Sequence, residues 1–180
     1  MGMHEFREEL EDLSFQVINV EARQAIEARL DIFRSESGNV IESIRGQISA
    51  LFEGTDLEVD VRGRQKRPYS IWRKMQSRSA SLEQLSDIFA FRVLVADETD
   101  CYRALGVLHR RWPNVPGRFK DYISTPKNNG YRSIHTTIVG PEQKRVEIQI
   151  RTQDMHDVAE YGIAAHWIYK NPEKLKTDNT

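Results

Sequence analysis

The sequence predicts an α+β domain that follows a helical N-terminal extension. Hydrophobic residues recur every three or four positions up to Gly54, which is the spacing of amphipathic helices. From Leu57 onward apolar and polar residues alternate, as in a strand with one buried face, and such alternation returns near the C-terminus. Helical spacing separates and follows these strands. We therefore assign residues 1–55 to the extension, 56–170 to the domain and 171–180 to a loose polar tail.

The extension is expected to contain two helices. The first covers about 4–17, and the second begins near residue 20. The polar segment 35–39, with the sequence Ser-Glu-Ser-Gly-Asn, is expected to break or weaken the second helix. Helical spacing then resumes until Gly54 closes it.

The domain is expected to alternate strands with helices and to contain one long loop. Pro68 suits the first turn of a helix, and Thr99 or Asp100 is expected to cap the next one. Residues 118–130 are expected to be mostly loop. The predicted strands cover 57–64, 88–95, 131–139 and 145–151, and the last two predicted helices cover about 97–112 and 153–169.

Charge is distributed unevenly along the 180 residues. Residues 1–60 hold 5 Lys and Arg against 14 Asp and Glu, a net charge of -9. Residues 61–180 hold 21 against 13, a net charge of +8, so the two parts together give the formal net charge of -1. The basic part is expected to face a polyanion.

The composition excludes several classes of protein. Cys101 is the single cysteine, which excludes an internal disulfide and a zinc site built on cysteine pairs. The longest apolar run, 88–95, is interrupted by Arg92 and is too short to cross a bilayer. The first residues are acidic and lack the pattern of a secretory signal. We therefore expect a cytoplasmic protein without a membrane partner.

The strand at 146–151 alternates between two kinds of side chain. Its valine and isoleucines face one way, whereas Glu147, Gln149 and Arg151 face the other. The apolar face of this strand is expected to be buried. A carboxylate, an amide and a guanidinium on its polar face, beside a strand that contributes His135, indicate a site that binds phosphate and a metal ion.

A basic cluster spans the end of one predicted strand and the start of a helix. No acidic residue occurs between Val61 and Leu82. A generic basic run is most often a solvated helix surface. Here its position favours a polyphosphate, because backbone N–H groups at a helix start favour an anion, while nucleic acid stays open. The cluster comprises Arg62, Arg64, Lys66, Arg67, Arg73, Lys74 and Arg78.

Asp87 and Glu147 form a candidate carboxylate pair, since each lies on or next to a predicted strand. Two acids on neighbouring strands can hold one magnesium ion and leave positions for phosphate and water. Alternatively, Asp87 caps a strand edge and Glu147 forms a cross-strand ion pair with Arg145 or Arg132. The spacing alone does not decide between these interpretations.

Tyr131 follows an Asn-Gly turn and is close in sequence to Lys127 and His135. A ring in this position can stack on a nucleobase while neighbouring polar groups bind its phosphates. Taken alone, a tyrosine after Asn-Gly is more often a hairpin residue that packs its ring at the edge of the sheet.

These motifs follow one another over about 61–170. They comprise Gly63-Arg64-Gln65-Lys66, Asp87-Ile88-Phe89-Ala90-Phe91-Arg92, Gly117 to Ile123, Gly130 to Thr137, Val146 to Thr152 and Ala159 to Trp167. In this order and separation they resemble the synthetase domain of the RelA/SpoT homologue family, which makes the alarmones guanosine tetra- and pentaphosphate. The segment 9–15 resembles the connector that precedes this domain in long members, so we expect further domains of a longer chain.

The resemblance implies a fold, a reaction and a set of site residues. The fold would be a mixed sheet of about five strands flanked by helices, similar to the palm of nucleotidyltransferases. The reaction would transfer pyrophosphate from ATP to the ribose 3′-hydroxyl of GDP or GTP, with release of AMP and with Mg²⁺ as cofactor. Glu147 and Asp87 would be catalytic and would bind the metal, with Glu147 proposed to deprotonate the hydroxyl. ATP would be bound by Arg64, Lys66, Ser70, Lys74 and Arg92, and GDP or GTP by Tyr131, Lys127, Asn129, His135, Lys120, Arg118 and Gln149.

Two departures from the family pattern leave the substrate preference open. Arg132 stands where many members have glutamine, and Arg67-Pro68 replaces a more usual His-aliphatic pair. ATP with GDP or GTP are the expected substrates, and direct binding of nucleic acid is not expected. A catalytically silent guanine-nucleotide-binding regulatory module is one alternative. A pyrophosphokinase for adenosine nucleotides or the tRNA 3′ end is another.

Overall fold

A computed structural model describes residues 4–64, 67–78 and 89–170 of the chain. Its centre is one five-stranded mixed sheet with the strand order β1-β2-β5-β4-β3. The β2 and β5 strands are parallel, and every other neighbouring pair is antiparallel. The strands are β1 Val59–Gly63, β2 Phe89–Val95, β3 Lys120–Asp121, β4 Ile134–Val139 and β5 Arg145–Thr152.

Five α-helices surround the sheet in the described part of the chain. They are α1 His4–Ile18, α2 Val20–Ala50, α3 Pro68–Arg78, α4 Glu98–Arg111 and α5 Gln153–Lys170, and a 3-10 helix, Pro141–Gln143, connects β4 to β5. The α5 helix is kinked at Gly162, where φ is 84° and ψ is 163°. Glycine has no Cβ and accepts this positive φ without strain. The predicted α+β class and mixed sheet are confirmed.

Of the two outcomes expected at 35–39, the break is wrong, because α2 runs without interruption from Val20 to Ala50. The hydroxyl of Ser35 donates to the carbonyl oxygen of Ile32 one turn earlier, so it bonds within the helix instead of competing with it. Apolar residues on both sides of the segment are buried against other elements. Packing on both sides therefore outweighs the weak propensity of the five polar residues.

The predicted cap of α4 is corrected. Neither Thr99 nor Asp100 caps α4: Asp97 is the N-cap, and its side chain accepts from the backbone N–H of Asp100. The segment 118–130 is mostly loop, as predicted, and contains the two-residue strand β3, which pairs with the start of β4. A strand of two residues is too short to show alternation, so the sequence pattern missed it.

The main hydrophobic core lies on one face of the sheet. Phe91, Ile148 and Ile150 on the central strands are fully or almost fully buried, and burial of such a side chain contributes roughly 1.5–3 kcal/mol. They belong to the same cluster as Ile44 and Ile48 from the second half of α2, together with Ala104 and Leu108 from α4. The C-terminal half of the long helix is thus part of the core that supports the sheet.

A second, smaller cluster joins the first three helices. Phe15 of α1, Ile26 and Leu30 of α2 and Ile71 of α3 are buried together. The Phe15 ring also lies 5.1 Å from the Trp72 ring and 5.6 Å from the Tyr69 ring, measured between centroids. The α3 helix, which carries Arg73, Lys74 and Arg78 of the basic cluster, is therefore held in place by α1 and α2.

Candidate active site

One row of polar residues crosses all five strands of the sheet. Residues that lie directly opposite each other on neighbouring strands project from the same face. The register pairs Arg62 with Arg92, Arg92 with Gln149, Gln149 with His135 and His135 with Lys120. Five predicted strand or loop segments thus bring one polar side chain each to a common face, opposite the face that carries the main core.

Glu147 lies on the same face, two residues from this row. Its Oε1 atom is 3.3 Å from Nη1 of Arg64 and accepts a 3.4 Å hydrogen bond from Nε2 of Gln149. Arg64 follows β1, and its backbone N–H donates to the carbonyl oxygen of Ala90, the strand partner of Glu147. The Arg64 and Glu147 side chains are 20% and 18% exposed, so a ligand can reach both. The structure therefore joins the end of β1 to Glu147, and it pairs Arg132 with Glu98 of α4.

The polar face of β5 is less open to solvent than the alternation indicated. Gln149 and Arg151 are buried, with 5% and 2% of their surface exposed. The α5 helix reaches this part of the sheet through Glu160, whose Oε1 atom lies 2.9 Å from Nη2 of Arg92 and 3.6 Å from Nη2 of Arg151. His156 contacts the same oxygen at 3.4 Å. One carboxylate is thus shared by two guanidinium groups and an imidazole.

Burial changes the acidity of these groups. Desolvation lowers the pKa of the Arg151 guanidinium to about 10, and Arg92 and Arg64 add to this effect. Desolvation also lowers the pKa of His156. The Nε atoms of Arg92 and Arg151 are buried and lack a hydrogen-bond partner among the described residues. This part of the face consequently carries buried donors and an excess of positive charge.

Tyr131 and His135 form a pair at the other side of Glu147. The Tyr131 hydroxyl lies 2.7 Å from Nε2 of His135, and the two rings are nearly perpendicular. Desolvation lowers the pKa of His135 to about 4, opposed by the charge of Glu147 and assisted by that of Arg64. His135 is therefore neutral at pH 7, and its Nε2 atom shares a hydrogen bond with the Tyr131 hydroxyl. Burial likewise raises the pKa of Tyr131.

The loop before β4 presents an aromatic and cationic surface. The ammonium group of Lys127 is 4.6 Å from the centroid of the Tyr122 ring and 5.0 Å from that of Tyr131. Asn129 has a local role: its side-chain oxygen accepts from the backbone N–H of Tyr131. Gly130 has a φ of 75°, which allows the chain to turn tightly before Tyr131.

The start of α3 differs from the expectation that its backbone N–H groups attract a phosphate. Pro68 has no N–H, and the N–H of Tyr69 donates to Oδ1 of Asp12 in α1 at 3.0 Å. Oδ2 of Asp12 accepts from Arg23 at 2.9 Å. The anion at this helix start is therefore a carboxylate of the chain itself. Ser70 and Lys74 lie one turn apart on one face of α3 and are half-buried.

The structure brings some of the predicted site residues together and leaves others apart. Lys127 is exposed but adjoins the Tyr131 ring, whereas Arg118 is exposed in the turn before β3 with no contact to the cluster among the described interactions. Lys66 and Asp87 lie outside the described residues, as does the predicted tail 171–180. The residues joined by direct contacts or by strand register are Arg64, Arg92, Glu147, Gln149, His135, Tyr131, Lys127 and Lys120.

Three contributors to the site were not predicted from the sequence. Tyr122 packs edge-on against His135, with ring centroids 5.2 Å apart. Glu160 and Asp12 act through contacts over long sequence separations. Glu160 follows His156 by four residues, which places the two on one helix face, and this spacing is the signal that could have found it. Nothing in the sequence relates Asp12 to α3.

Among the described residues, no group of three or more His, Cys, Asp and Glu side chains has an arrangement that could hold a metal ion. No helix among them is both long enough and apolar enough to cross a membrane.

Related proteins share both the sequence and the fold of this chain. Residues 63–174 match the family described as a region found in RelA and SpoT proteins. The chain is 52% identical to GTP pyrophosphokinase rsh of Brucella melitensis, over 99% of this chain and 24% of that protein. It is 42% identical to a guanosine-3′,5′-bis(diphosphate) 3′-pyrophosphohydrolase of Haemophilus influenzae, over 100% of this chain and 26% of that protein. The chain thus spans about a quarter of the length of these curated relatives.

Solved structures of similar proteins have the same architecture. A GTP pyrophosphokinase family protein from Streptococcus pneumoniae matches with a TM-score of 0.60 and 26% identity, over 83% of each chain. The small alarmone synthetase 1 of Bacillus subtilis, bound to its product pppGpp, matches with a TM-score of 0.58 and 26% identity, over 84% of this chain and 87% of that one. Since the family match covers more than half of its length, the chain belongs to the RelA/SpoT family.

Proposed function

We propose that this chain is the catalytic domain of a (p)ppGpp synthetase. It transfers pyrophosphate from ATP to the ribose 3′-hydroxyl of GDP or GTP and releases AMP. The observation that carries this proposal is the contact between Arg64 and Glu147 beside the Tyr131–His135 pair, on one face of the sheet. A solved relative with this fold is bound to pppGpp, which supports a guanosine nucleotide as the acceptor.

The donor nucleotide is assigned to the cationic side of Glu147. Arg64 directly follows β1 and contacts Glu147, Arg92 lies on β2 on the polar face, and α3 adds Ser70 and Lys74. Transfer of a phosphoryl-type group depends mainly on positioning and on neutralising charge, which guanidinium and ammonium groups supply. Lys66 is proposed to act with them on the basis of the family motif. Arg92 leaves or shares its contact with Glu160 when a phosphate approaches.

The acceptor nucleotide is assigned to the aromatic side of Glu147. Tyr131 stacks on the guanine, with Lys127, Lys120, Arg118, Asn129, Gln149 and the neutral His135 as polar contacts. A neutral imidazole offers one donor and one acceptor nitrogen, so His135 can bond a sugar or base group without adding charge. A tyrosine ring offers the flat surface that base stacking needs.

Glu147 is proposed as the general base at the junction of the two nucleotides. It takes the proton of the 3′-hydroxyl while the acceptor oxygen forms a bond to the β-phosphorus of ATP. The bond from that phosphorus to the oxygen that bridges it to the α-phosphate breaks, and AMP leaves with the electron pair. Arg64 and Gln149 both donate to Oε1 of Glu147 and so fix the orientation of the carboxylate.

Mg²⁺ is proposed as the cofactor. Magnesium commonly binds one or two carboxylates together with substrate phosphates, so the accessible carboxylate of Glu147 fits such an ion once nucleotides are bound. Asp87 is the proposed second ligand. When bound, the ion neutralises developing charge on the phosphates and helps to orient them.

The proposal is tested by offering labelled ATP with GDP, GTP, ADP or tRNA in parallel and separating the products. We expect transfer to GDP and GTP alone, and loss of transfer when Mg²⁺ is chelated. Glu147→Gln should reduce the rate by about 10²–10⁴-fold if the residue acts as a base, while GDP binding measured by calorimetry persists. The matched control is Glu42→Gln, which removes an exposed carboxylate of α2 that pairs with Arg45.

Three results would contradict the proposal. Transfer to ADP or tRNA in preference to guanosine nucleotides would assign another acceptor. Guanine-nucleotide binding without turnover in the unaltered chain would indicate a regulatory module. Full activity of the Glu147→Gln variant would show that Glu147 does not act as the general base.

A further inference from the structure

The loop that carries Tyr122, Lys127 and Tyr131 is held at both of its ends by one helix. At its start, Oδ2 of Asp121 accepts a 3.0 Å hydrogen bond from the hydroxyl of Tyr102 in α4. At its end, Nη2 of Arg132 donates to Oε2 of Glu98 in α4 at 2.6 Å. Glu98 and Tyr102 are four residues apart and therefore occupy the same face of the helix.

Asp121, which accepts from Tyr102, also closes a turn at the start of the loop. Oδ1 of Asp121 accepts from the backbone N–H groups of Ile123 at 2.9 Å and Ser124 at 3.0 Å, which closes a tight turn. Burial alone would raise the pKa of Asp121, but hydrogen bonds from Ser124, Ile123 and Tyr102 outweigh it and lower that pKa. The ionised carboxylate thus joins the turn to α4 immediately next to Tyr122.

The second contact lies immediately after Tyr131. Arg132 has a buried Nε atom that lacks a hydrogen-bond partner among the described residues, and its Nη2 atom bonds Glu98. The backbone of Ser133, the next residue, accepts from the N–H of Tyr122 at 3.0 Å. The two ends of the loop are therefore adjacent to each other as well as to α4.

The α4 helix is a firm support for these contacts. Cys101, Ala104 and Leu108 are completely buried in the main core, and Asp97 caps the helix start. Glu98 and Tyr102 are exposed by comparison and project toward the loop. A rigid helix with two polar side chains at one face is suited to fixing a segment that has few buried residues of its own.

We propose that Glu98 and Tyr102 are positioning residues for the acceptor nucleotide, which hold the 121–132 loop at both ends so that Tyr131 and Lys127 are placed before the nucleotide binds. The proposal rests on the assignment of the acceptor to this loop. In this proposal neither Glu98 nor Tyr102 touches the nucleotide. Their contribution is to reduce the ordering that binding would otherwise require.

The test compares Glu98→Gln, Tyr102→Phe and the double variant with the unaltered 180-residue chain. Each exchange keeps the shape of the side chain and removes one contact to the loop. We expect the KM for GDP and GTP to rise about threefold in each single variant and about tenfold in the double variant, the range of partly exposed hydrogen bonds and ion pairs. The KM for ATP and the kcat at saturating acceptor should change by less than about twofold.

A second readout is independent of catalysis. Amide hydrogen exchange across residues 122–131 should become faster in the double variant, while exchange in β2 and β5 stays unchanged. Arg103→Gln is the matched control, because Arg103 is on the same helix and bonds Asp56 and Asp100 instead of the loop. This control should alter neither the acceptor KM nor the exchange of the loop.

The outcomes separate this proposal from the proposed function. Unchanged loop exchange in the double variant, or an equal rise of the KM for ATP and for the acceptor, would overturn the positioning role. If the unaltered chain makes no (p)ppGpp, the proposed function fails. Hydrogen exchange, and the affinity for GDP measured by calorimetry, would still decide whether Glu98 and Tyr102 order the loop.

Discussion

Glu160 shows how much of the site depends on a single side chain. Its Oε1 atom serves Arg92, Arg151 and His156 at once, and the side chain is only 14% exposed. Two guanidinium groups held close together in a poorly solvated place repel each other unless a carboxylate separates them. Glu160 therefore allows two positive charges to lie close together on the polar face.

Replacing Glu160 should destabilise the fold more than replacing an exposed glutamate. Glu160→Gln leaves the buried Arg151 and the partly buried Arg92 without their shared counter-charge, and loss of one partner from such a network costs about 2 kcal/mol or more. Denaturant unfolding measures the change. Glu27→Gln, which breaks the more exposed pair between Glu27 and Arg23, is the comparison and should cost well under 1 kcal/mol. Equal losses in both variants would show that Glu160 has no special role.

His135 should make the stability of the fold depend on pH in a defined window. Its pKa in the folded chain is about 4 against an ordinary value of 6.5, mainly because burial disfavours the charged ring. Below about pH 6.5 the unfolded chain binds a proton that the folded chain does not bind until about pH 4. Stability contributed by the neutral ring is thus complete above pH 6.5 and is lost as the pH falls, by about 3 kcal/mol in total.

The measurement is the free energy of unfolding between pH 4 and pH 7.5, with His135→Gln as the comparison. Carboxylates also titrate in this range, so the difference between the two curves is the quantity of interest. The variant should lose less stability on acidification than the unaltered chain. Parallel curves would assign the pH dependence to other groups.

The α3 helix depends on α1 through a contact between Tyr69 and Asp12, which are 57 residues apart in the sequence. Asp12 accepts from the first available N–H of α3 and also bonds Arg23 of α2, while Phe15 packs on Tyr69 and Trp72. A carboxylate at a helix start stabilises it through the hydrogen bond and through the helix dipole. The three helices therefore form one unit that presents Ser70 and Lys74.

Removing this cap should loosen α3. Asp12→Ala should lower the free energy of unfolding by about 1–3 kcal/mol, because the N–H of Tyr69 loses its acceptor and Arg23 loses one of its three. Asp12→Asn keeps an oxygen for the N–H of Tyr69 and should lose less. If the two variants were equally stable, the hydrogen bond to Tyr69 would not be the stabilising contact.

Individual elements could be predicted where a residue pattern is long or chemically specific. The α1 helix and the β2 and β5 strands have the expected bounds within one or two residues of the described range, because their hydrophobic spacing is regular. The Asp97 cap was misplaced because Asp97, Thr99 and Asp100 are all residue types that cap helices. The continuous α2 helix could not be predicted, because packing against other elements decides it. The short β3 strand owes its existence to pairing with β4.

For the whole molecule, the sequence predicted the class of fold and the residue types of the site better than their arrangement. Alternation in 146–151 correctly placed Glu147, Gln149 and Arg151 on one face, since strand geometry alone fixes this. Arg151 is buried because α5 packs over it, and the periodicity of the sequence does not show where α5 packs. The family was identified from the order of motifs and is confirmed. The roles of the site residues stay predictions.

The place of β5 in the strand order has a consequence for biosynthesis. It is the last strand to leave the ribosome, yet it lies in the middle of the sheet and is the only link between the β1-β2 and β3-β4 pairs among the described strands. A nascent polypeptide that has emerged only to residue 144 holds two separate ribbons, without Glu147 between them. Pairing over such long separations is slow, so in an unfinished copy of this domain the polar face should stay divided between two ribbons until β5 has been translated.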